Sequence, residues 1–219
     1  MLIPMKFSLI EPYLPMFTQG LIVTLQVTGA SLVLAFVLGA VLAVLKVLPC
    51  RPLRLLLDFY TSIFRGVPLI VLLFIAYFGV PQLTGYKITM FAASVLTLGL
   101  NGSATVSETL RGGIEGVDSG QYDASRALSM PYVSMMGCII IPQALRSVAP
   151  ALVNEVITVL KSSSLVATIG LMDMMRAAQS VQALTYRAFE PFIAVAVVYY
   201  VIVMALVAVG NALERRIRR

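Results

Sequence analysis

The chain has 219 residues, of which 59% are hydrophobic and only 12% charged, with a mean hydropathy of +0.95. Soluble domains carry about 25% charged residues, and a water-soluble fold of this size has no means of covering so much apolar surface, so the composition calls for a bilayer. The absence of histidine removes the commonest metal ligand and general base; the net charge of +6 includes a basic tail that follows an apolar stretch, Glu214-Arg215-Arg216-Ile217-Arg218-Arg219, which suits anionic lipid headgroups and not nucleic acid.

Taken in chain order, Glu11 and the prolines Pro4, Pro12 and Pro15 form a short interfacial lead-in that does not read as a secretory leader. Spanning a bilayer takes about 20 mostly apolar residues, and five such stretches follow: Leu21–Val47, Leu55–Val80, Ile88–Leu110, Val133–Leu160 and Phe189–Leu213. The second carries Asp58 and Arg65, so its apolar part is expected to begin near Val67, with Arg65 anchoring its inner end. The fourth contains Pro142 and Pro150, which remove helix hydrogen bonds and favour a bend or break. Cys50 and Cys138 read as small buried hydrophobes rather than as a disulfide. The expected architecture is a single all-α integral membrane domain, residues 1–219, with five transmembrane helices.

An odd number of spans puts the termini on opposite sides, and lysine and arginine choose which. With the N-terminus outside and the C-terminus inside, eleven basic residues fall on the cytoplasmic side and five on the outer side. The segment from Arg111 to Tyr132 is then cytoplasmic. The segment from Ser162 to Ala188 is external, with a short packed helix expected within Leu165–Met175. Glu108 and Arg111, one helical turn apart, read as a local ion pair.

Between the third and fourth spans, glycines at 112, 113 and 116 permit a tight turn, and Ser119 is the expected N-cap of a short helix running to Pro131. Asp123 lies in its first turns, where the helix dipole favours negative charge. This segment resembles the cytoplasmic loop of ABC importer permeases, which reads E-A-A, three residues, G, nine residues, I-x-L-P. Asp123-Ala124-Ser125 occupies the first triplet, Ser129 the glycine position, and Ile139-Ile140-Ile141-Pro142 the end. The spacing is kept while four letters differ.

Further segments resemble the polar amino acid subfamily of these permeases, in order along nearly the whole chain. They are Gly20-Leu21-Ile22-Val23-Thr24-Leu25-Gln26, Phe64-Arg65-Gly66-Val67-Pro68-Leu69, Glu108-Thr109-Leu110-Arg111-Gly112-Gly113, Pro142-Gln143-Ala144-Leu145-Arg146, Asn154-Glu155 and Lys161-Ser162-Ser163-Ser164-Leu165-Val166. The resemblance implies a bacterial inner-membrane permease that works with two copies of an ATP-binding subunit, a second permease subunit, an extracytoplasmic solute-binding protein and an amino acid substrate. It implies that the loop helix, a coupling helix, docks into the ATPase through Asp123, Ala124, Ser125, Arg126 and Ser129, with Pro142 closing the motif. The small side chains of Ala124, Ser125 and Ser129 would permit close packing there. No cofactor is expected on this chain, ATP and Mg being used by the partner; no G-x-x-x-x-G-K-[ST] occurs to bind a nucleotide. The chain is accordingly not expected to be an enzyme.

In the fourth span, Asn154, Glu155, Thr158, Lys161 and Ser162 fall within an arc of about 120° on a helical projection. An ionisable group facing lipid costs at least ~2–3 kcal/mol, so Glu155 is expected to face a partner helix or a water-filled path. Two readings stand side by side: a polar contact that holds helices together, or a carboxylate that meets the ammonium or side-chain cation of an amino acid. In the second reading Asn154, Thr158 and Ser162 assist, and a broken backbone near Pro150 offers free carbonyls. A secondary transporter or channel subunit using Glu155 in a polar path is the alternative of a different class.

Overall fold

The computed structural model describes residues 6–217, so Pro4, Arg218 and Arg219 of the sequence reading lie outside the described residues. Every regular element among the described residues is helical. Two 3₁₀ turns, Phe7–Leu9 and Glu11–Tyr13, lead into α1, Leu14–Val47. Pro15 sits in its first turn, where a missing N–H costs nothing. Next come α2, Arg51–Gly66, and α3, Leu69–Thr84, followed by α4, Met90–Glu115. A short α5, Ser119–Ala127, precedes α6, Tyr132–Ile169; α7, Met174–Thr185, and α8, Phe189–Ile217, complete the chain.

Among the described residues four helical stretches are long and apolar enough to span a membrane, and the bent α2–α3 pair makes a fifth if counted as one span. α4 is the central post: 56% of its spanning window is buried, against 17% for α6 and 6% for α8. It packs against α1 at very short range because small residues face each other. A Cβ on Gly39 would come within 2.7 Å of Val106, and one on Gly102 within 2.9 Å of Ala35.

The second stretch departs from the expected straight span. α2 and α3 meet at 103°. Pro68 forces the preceding Val67 into an extended conformation, and the helix cannot continue through it. α6 departs in the other direction, since no break occurs at Pro150 and the helix runs on through Ile141–Ser162. Pro142 is accommodated by a wide turn over Met136–Ile140 and by its place in the first turn of the segment that follows.

The external helix begins later than the sequence reading placed it. A 3₁₀ turn, Ser163–Ile169, ends at Gly170 with φ +93°, and α7 starts only at Met174. Asp173 caps it, accepting from the Arg176 N–H at 2.8 Å. Met174, Ala177, Ala178 and Val181 form its buried stripe, packed with Phe17 of α1. Gly20 is required at this contact, because a Cβ there would lie 2.8 Å from the Asp173 carbonyl. Thr24 accepts the Met174 N–H at 3.2 Å, so the Gly20–Thr24 spacing is what seats α7 on α1. Cys50 and Cys138 are both exposed, correcting their reading as buried: one lies at the α1–α2 turn, the other on the wide turn of α6.

Candidate functional site

Three features of the fold carry chemistry: a polar face on α6, a polar cleft between α2 and α4, and the short helix α5. On α6, Asn154, Thr158 and Lys161 are exposed, while Glu155 and Ser162 are half-buried. The Thr158 hydroxyl donates to the Asn154 carbonyl at 2.9 Å. Glu155 forms neither an ion pair nor a side-chain hydrogen bond among the described residues. Its Oε1 lies 3.5 Å from where a Cβ on Gly102 would sit, so the absent side chain leaves room for the carboxylate beside α4. The helix-gluing partner that one sequence reading required for Glu155 is therefore not supplied within the described chain.

α4 presents a matching strip. With Asn101 at zero on a helical projection, Gly112 falls at about 20°, Thr105 at about 40° and Thr109 at about 80°. The three polar residues are half-buried and Gly112 is exposed. On one side of this strip Gly102 and Gly113 face α6, a Cβ on Gly113 meeting Val148. On the other side Asn101 donates to the Phe64 carbonyl of α2. The strip thus opens between α2 and α6.

α2 borders it with two distinct faces. Leu55, Leu56, Phe59 and Ile63 are exposed within about 100° of arc. Arg54, Asp58, Thr61, Ser62 and Arg65 occupy another arc of about 100° and, with Gly66, Glu108 and Arg111, line a cleft of about 550 Å³. Tyr60 holds α2 on α4, its hydroxyl within 3.1 Å of the Leu100 carbonyl and 2.8 Å of Ser103 Oγ. Arg65 does not sit at the inner end of a span: its neighbour Phe64 faces Asn101, near the middle of α4. The polar spacing 54, 58, 61, 62, 65 was the available sequence signal for this cleft, hidden by reading the segment as one apolar run.

The cleft mouth is braced by charge. The expected Glu108–Arg111 pair is present at 2.7 Å. It extends further than expected, since Lys46 of α1 reaches Glu108, Asp58 at 2.9 Å and the Thr61 hydroxyl at 2.8 Å, with its own side chain fully buried. Lys46 therefore ties α1, α2 and α4 together. Arg111 also pairs with Glu115.

α5 is capped by Asp118, whose Oδ1 accepts the Gly120 N–H at 2.7 Å; Ser119, the expected cap, is the first helical residue instead. Its end is a Schellman motif: Met130 N–H donates to the Ser125 carbonyl at 3.0 Å and Ser129 N–H to the Arg126 carbonyl at 2.8 Å. Ser129 has φ +53°, which explains why a glycine suits that position. Asp123, Ala124, Arg126 and Ser129 are exposed, while Ser125 is buried with its hydroxyl donating to the Gln121 carbonyl, so Ser125 faces its own chain and not outward. Leu128 and Val133 project beside the helix at 76% and 80% exposure. Tyr122 donates to the Ile114 carbonyl at 3.0 Å, and Gln143 of α6 to Gln121 at 3.4 Å, bracing α5 between α4 and α6. Pro142, half-buried, sits beside that brace.

Residues 14–219 match the family described as binding-protein-dependent transport system inner membrane component. The chain is 44% identical to the arginine transport system permease protein ArtQ of Bacillus subtilis strain 168, over 98% of each chain. It is 34% identical to the L-cystine transport system permease protein TcyL of the same organism, over 97% of this chain and 91% of that one. Among solved structures, an amino acid ABC transporter with histidines superposes with a TM-score of 0.92 at 38% identity, covering 98% of this chain and 100% of that chain. The MetNI methionine ABC transporter, at 21% identity and TM-score 0.81 over 95% of this chain and 99% of that chain, shares the fold.

Proposed function

Since this chain belongs to the family of binding-protein-dependent transport system inner membrane components, whose relatives here are multi-pass amino acid ABC permeases, we propose that it lines the translocation path of an amino acid importer with Glu155 as a substrate contact. The observation that carries the residue assignment is the unpartnered carboxylate of Glu155 on the polar face of α6. A carboxylate kept at that depth without an internal partner suits a cationic group that arrives and leaves. Asn154, Thr158 and Ser162 add hydrogen-bonding capacity beside it. The half-buried polar strip of α4 supplies the opposite wall. A secondary transporter or channel is not favoured by the family match.

The partners follow from the same premise. An ATPase and a solute-binding protein belong to such systems, with two ATPase copies and a second permease subunit completing the pore in our reading. ATP and Mg are used by the ATPase, and this chain binds no cofactor. α5 docks on the ATPase through Asp123, Ala124, Arg126 and Ser129, with Leu128 and Val133 as apolar knobs. Its bracing to α4 and α6 supports transmission of motion to both walls of the strip. One permease domain spans residues 1–219, with the N-terminus outside and the C-terminus inside.

The decisive experiment reconstitutes the chain with its partner ATPase and binding protein and measures ATP hydrolysis with a panel of amino acids. One class of amino acid should stimulate hydrolysis in the wild type, and the stimulation should be lost in Glu155→Gln. Unchanged stimulation in that variant would make Glu155 structural, and failure to assemble with any ATPase would overturn the transport reading.

A further inference from the structure

α2 ends inside the fold. Its contacts climb α4 from Glu108, reached through Lys46, past Ser103 to Asn101, which holds the Phe64 carbonyl. Asn101 lies about 17 Å along the helix from Met90 and about 21 Å from Glu115. Phe64 is therefore near mid-span, and the chain turns by 103° directly beyond it. Arg65 stands at this turn, exposed and lining the cleft between α2 and α4.

The charges of the cleft are matched except for this one. Asp58 and Glu108 meet Lys46, Arg111 meets Glu108 and Glu115, and Arg54 approaches Asp58 and Glu115 at 3.9 Å. Arg65 has no ion pair or hydrogen bond among the described residues. A guanidinium is always charged, and it stands here in the polar cleft rather than toward lipid. Its planar fork matches the paired oxygens of a carboxylate or a phosphate, and of these an amino acid brings the carboxylate.

On the other side of the α4 strip, at the level of Gly102, lies the second unmatched charge, the carboxylate of Glu155. An unpartnered cation and an unpartnered anion flank one strip of hydrogen-bonding residues, Asn101 and Thr105. That pattern is the complement of a zwitterion. We propose that Arg65 binds the α-carboxylate of the transported amino acid while Glu155 takes its ammonium or side-chain cation. The proposal rests on the transport reading above and extends it to a requirement for a free carboxylate within the membrane domain itself, apart from any such requirement of the binding protein.

The test uses the full permease–ATPase complex in nanodiscs without binding protein. Equilibrium binding is measured for L-arginine, L-glutamine and L-cystine, and for the carboxamide of whichever binds. Wild type should prefer the acid over its amide by at least tenfold. Arg65→Gln should bind the acid as weakly as the amide, with amide binding unchanged; Arg65→Lys should keep part of the preference; Glu155→Gln should weaken both ligands while retaining it. Equal binding of acid and amide by the wild type, a comparison that needs no variant to fold, would overturn the proposal. So would an acid preference that survives Arg65→Gln, as expected if Arg65 instead pairs with a lipid phosphate or the second permease subunit. If transport fails in Glu155→Gln while Arg65→Gln behaves as wild type, the transport reading stands and this inference alone falls; if the wild-type complex neither binds nor transports any amino acid, both fall.

Discussion

Single residues in this protein carry unequal consequences, and burial decides which. Lys46 is fully buried and holds two carboxylates, Asp58 and Glu108. Removing it takes the buried cation from both, although Arg111 still holds Glu108 and water reaches Asp58, so the loss is smaller than for a fully buried pair. Lys46→Met should lower the thermal unfolding midpoint of the detergent-solubilised protein, and adding Asp58→Asn and Glu108→Gln should recover most of the loss. Asp173 shows the opposite case. Burial pushes its carboxyl up to about 6, against the lowering effect of the hydrogen bond it accepts from the Arg176 N–H. The native state then holds its proton more tightly than the unfolded chain, so stability falls as pH rises from about 4 to about 6, by about 3 kcal/mol in full. Asp173→Asn keeps a capping side chain without that charge. Its melting temperature relative to wild type should rise between pH 4 and pH 7, and a difference independent of pH would contradict this account.

Among the elements, α5 shows how a motif translates into backbone geometry. The spacing from Asp123 to Pro142 was legible in the sequence, but the reason for a small residue at 129 lies in its positive φ at the end of the Schellman motif. Ser129→Gly should relieve this conformation and stabilise the loop by up to about 1 kcal/mol. Ser129→Val should strain it and uncouple ATP hydrolysis from transport while leaving the protein inserted. Transport retained in Ser129→Val would remove α5 from the coupling role. The exposed Asp123–Arg126 pair, at 3.6 Å and about three-quarters exposed on each side, adds little to stability. Both side chains are thus available to a partner at small cost.

For the whole molecule the open question is orientation, and the exposed native cysteines provide the probe. Cys50 lies at the α1–α2 turn, which the basic residues assign to the cytoplasmic side. In a Cys138→Ser background a membrane-impermeant maleimide should label Cys50 in inside-out vesicles and not in right-side-out ones. The reverse pattern would invert the topology. The same scale explains the low burial of α6 and α8. Their outer faces are left for lipid and, in our reading, for the second permease subunit, whereas α4 is consumed within the chain.

Apolar run length and motif spacing are local properties that survive without contacts, so the solvent, the helical class, the rough limits of the spans and the family were legible from the residues alone. Even the Glu108–Arg111 pair was legible, being one turn apart. Partners far apart in the chain were settled by packing. Lys46 met its carboxylates only when α2 and α4 closed over it, and Arg65 looked like an anchor until Asn101 placed its neighbour Phe64 at mid-span. Asp173 was a late cap for α7, and Pro150 a tolerated residue rather than a break. In each case the local chemistry allowed several outcomes, and the packing of α1, α2 and α6 around α4 selected one, since a buried charge or freed backbone group is stable only where that packing supplies its counterpart.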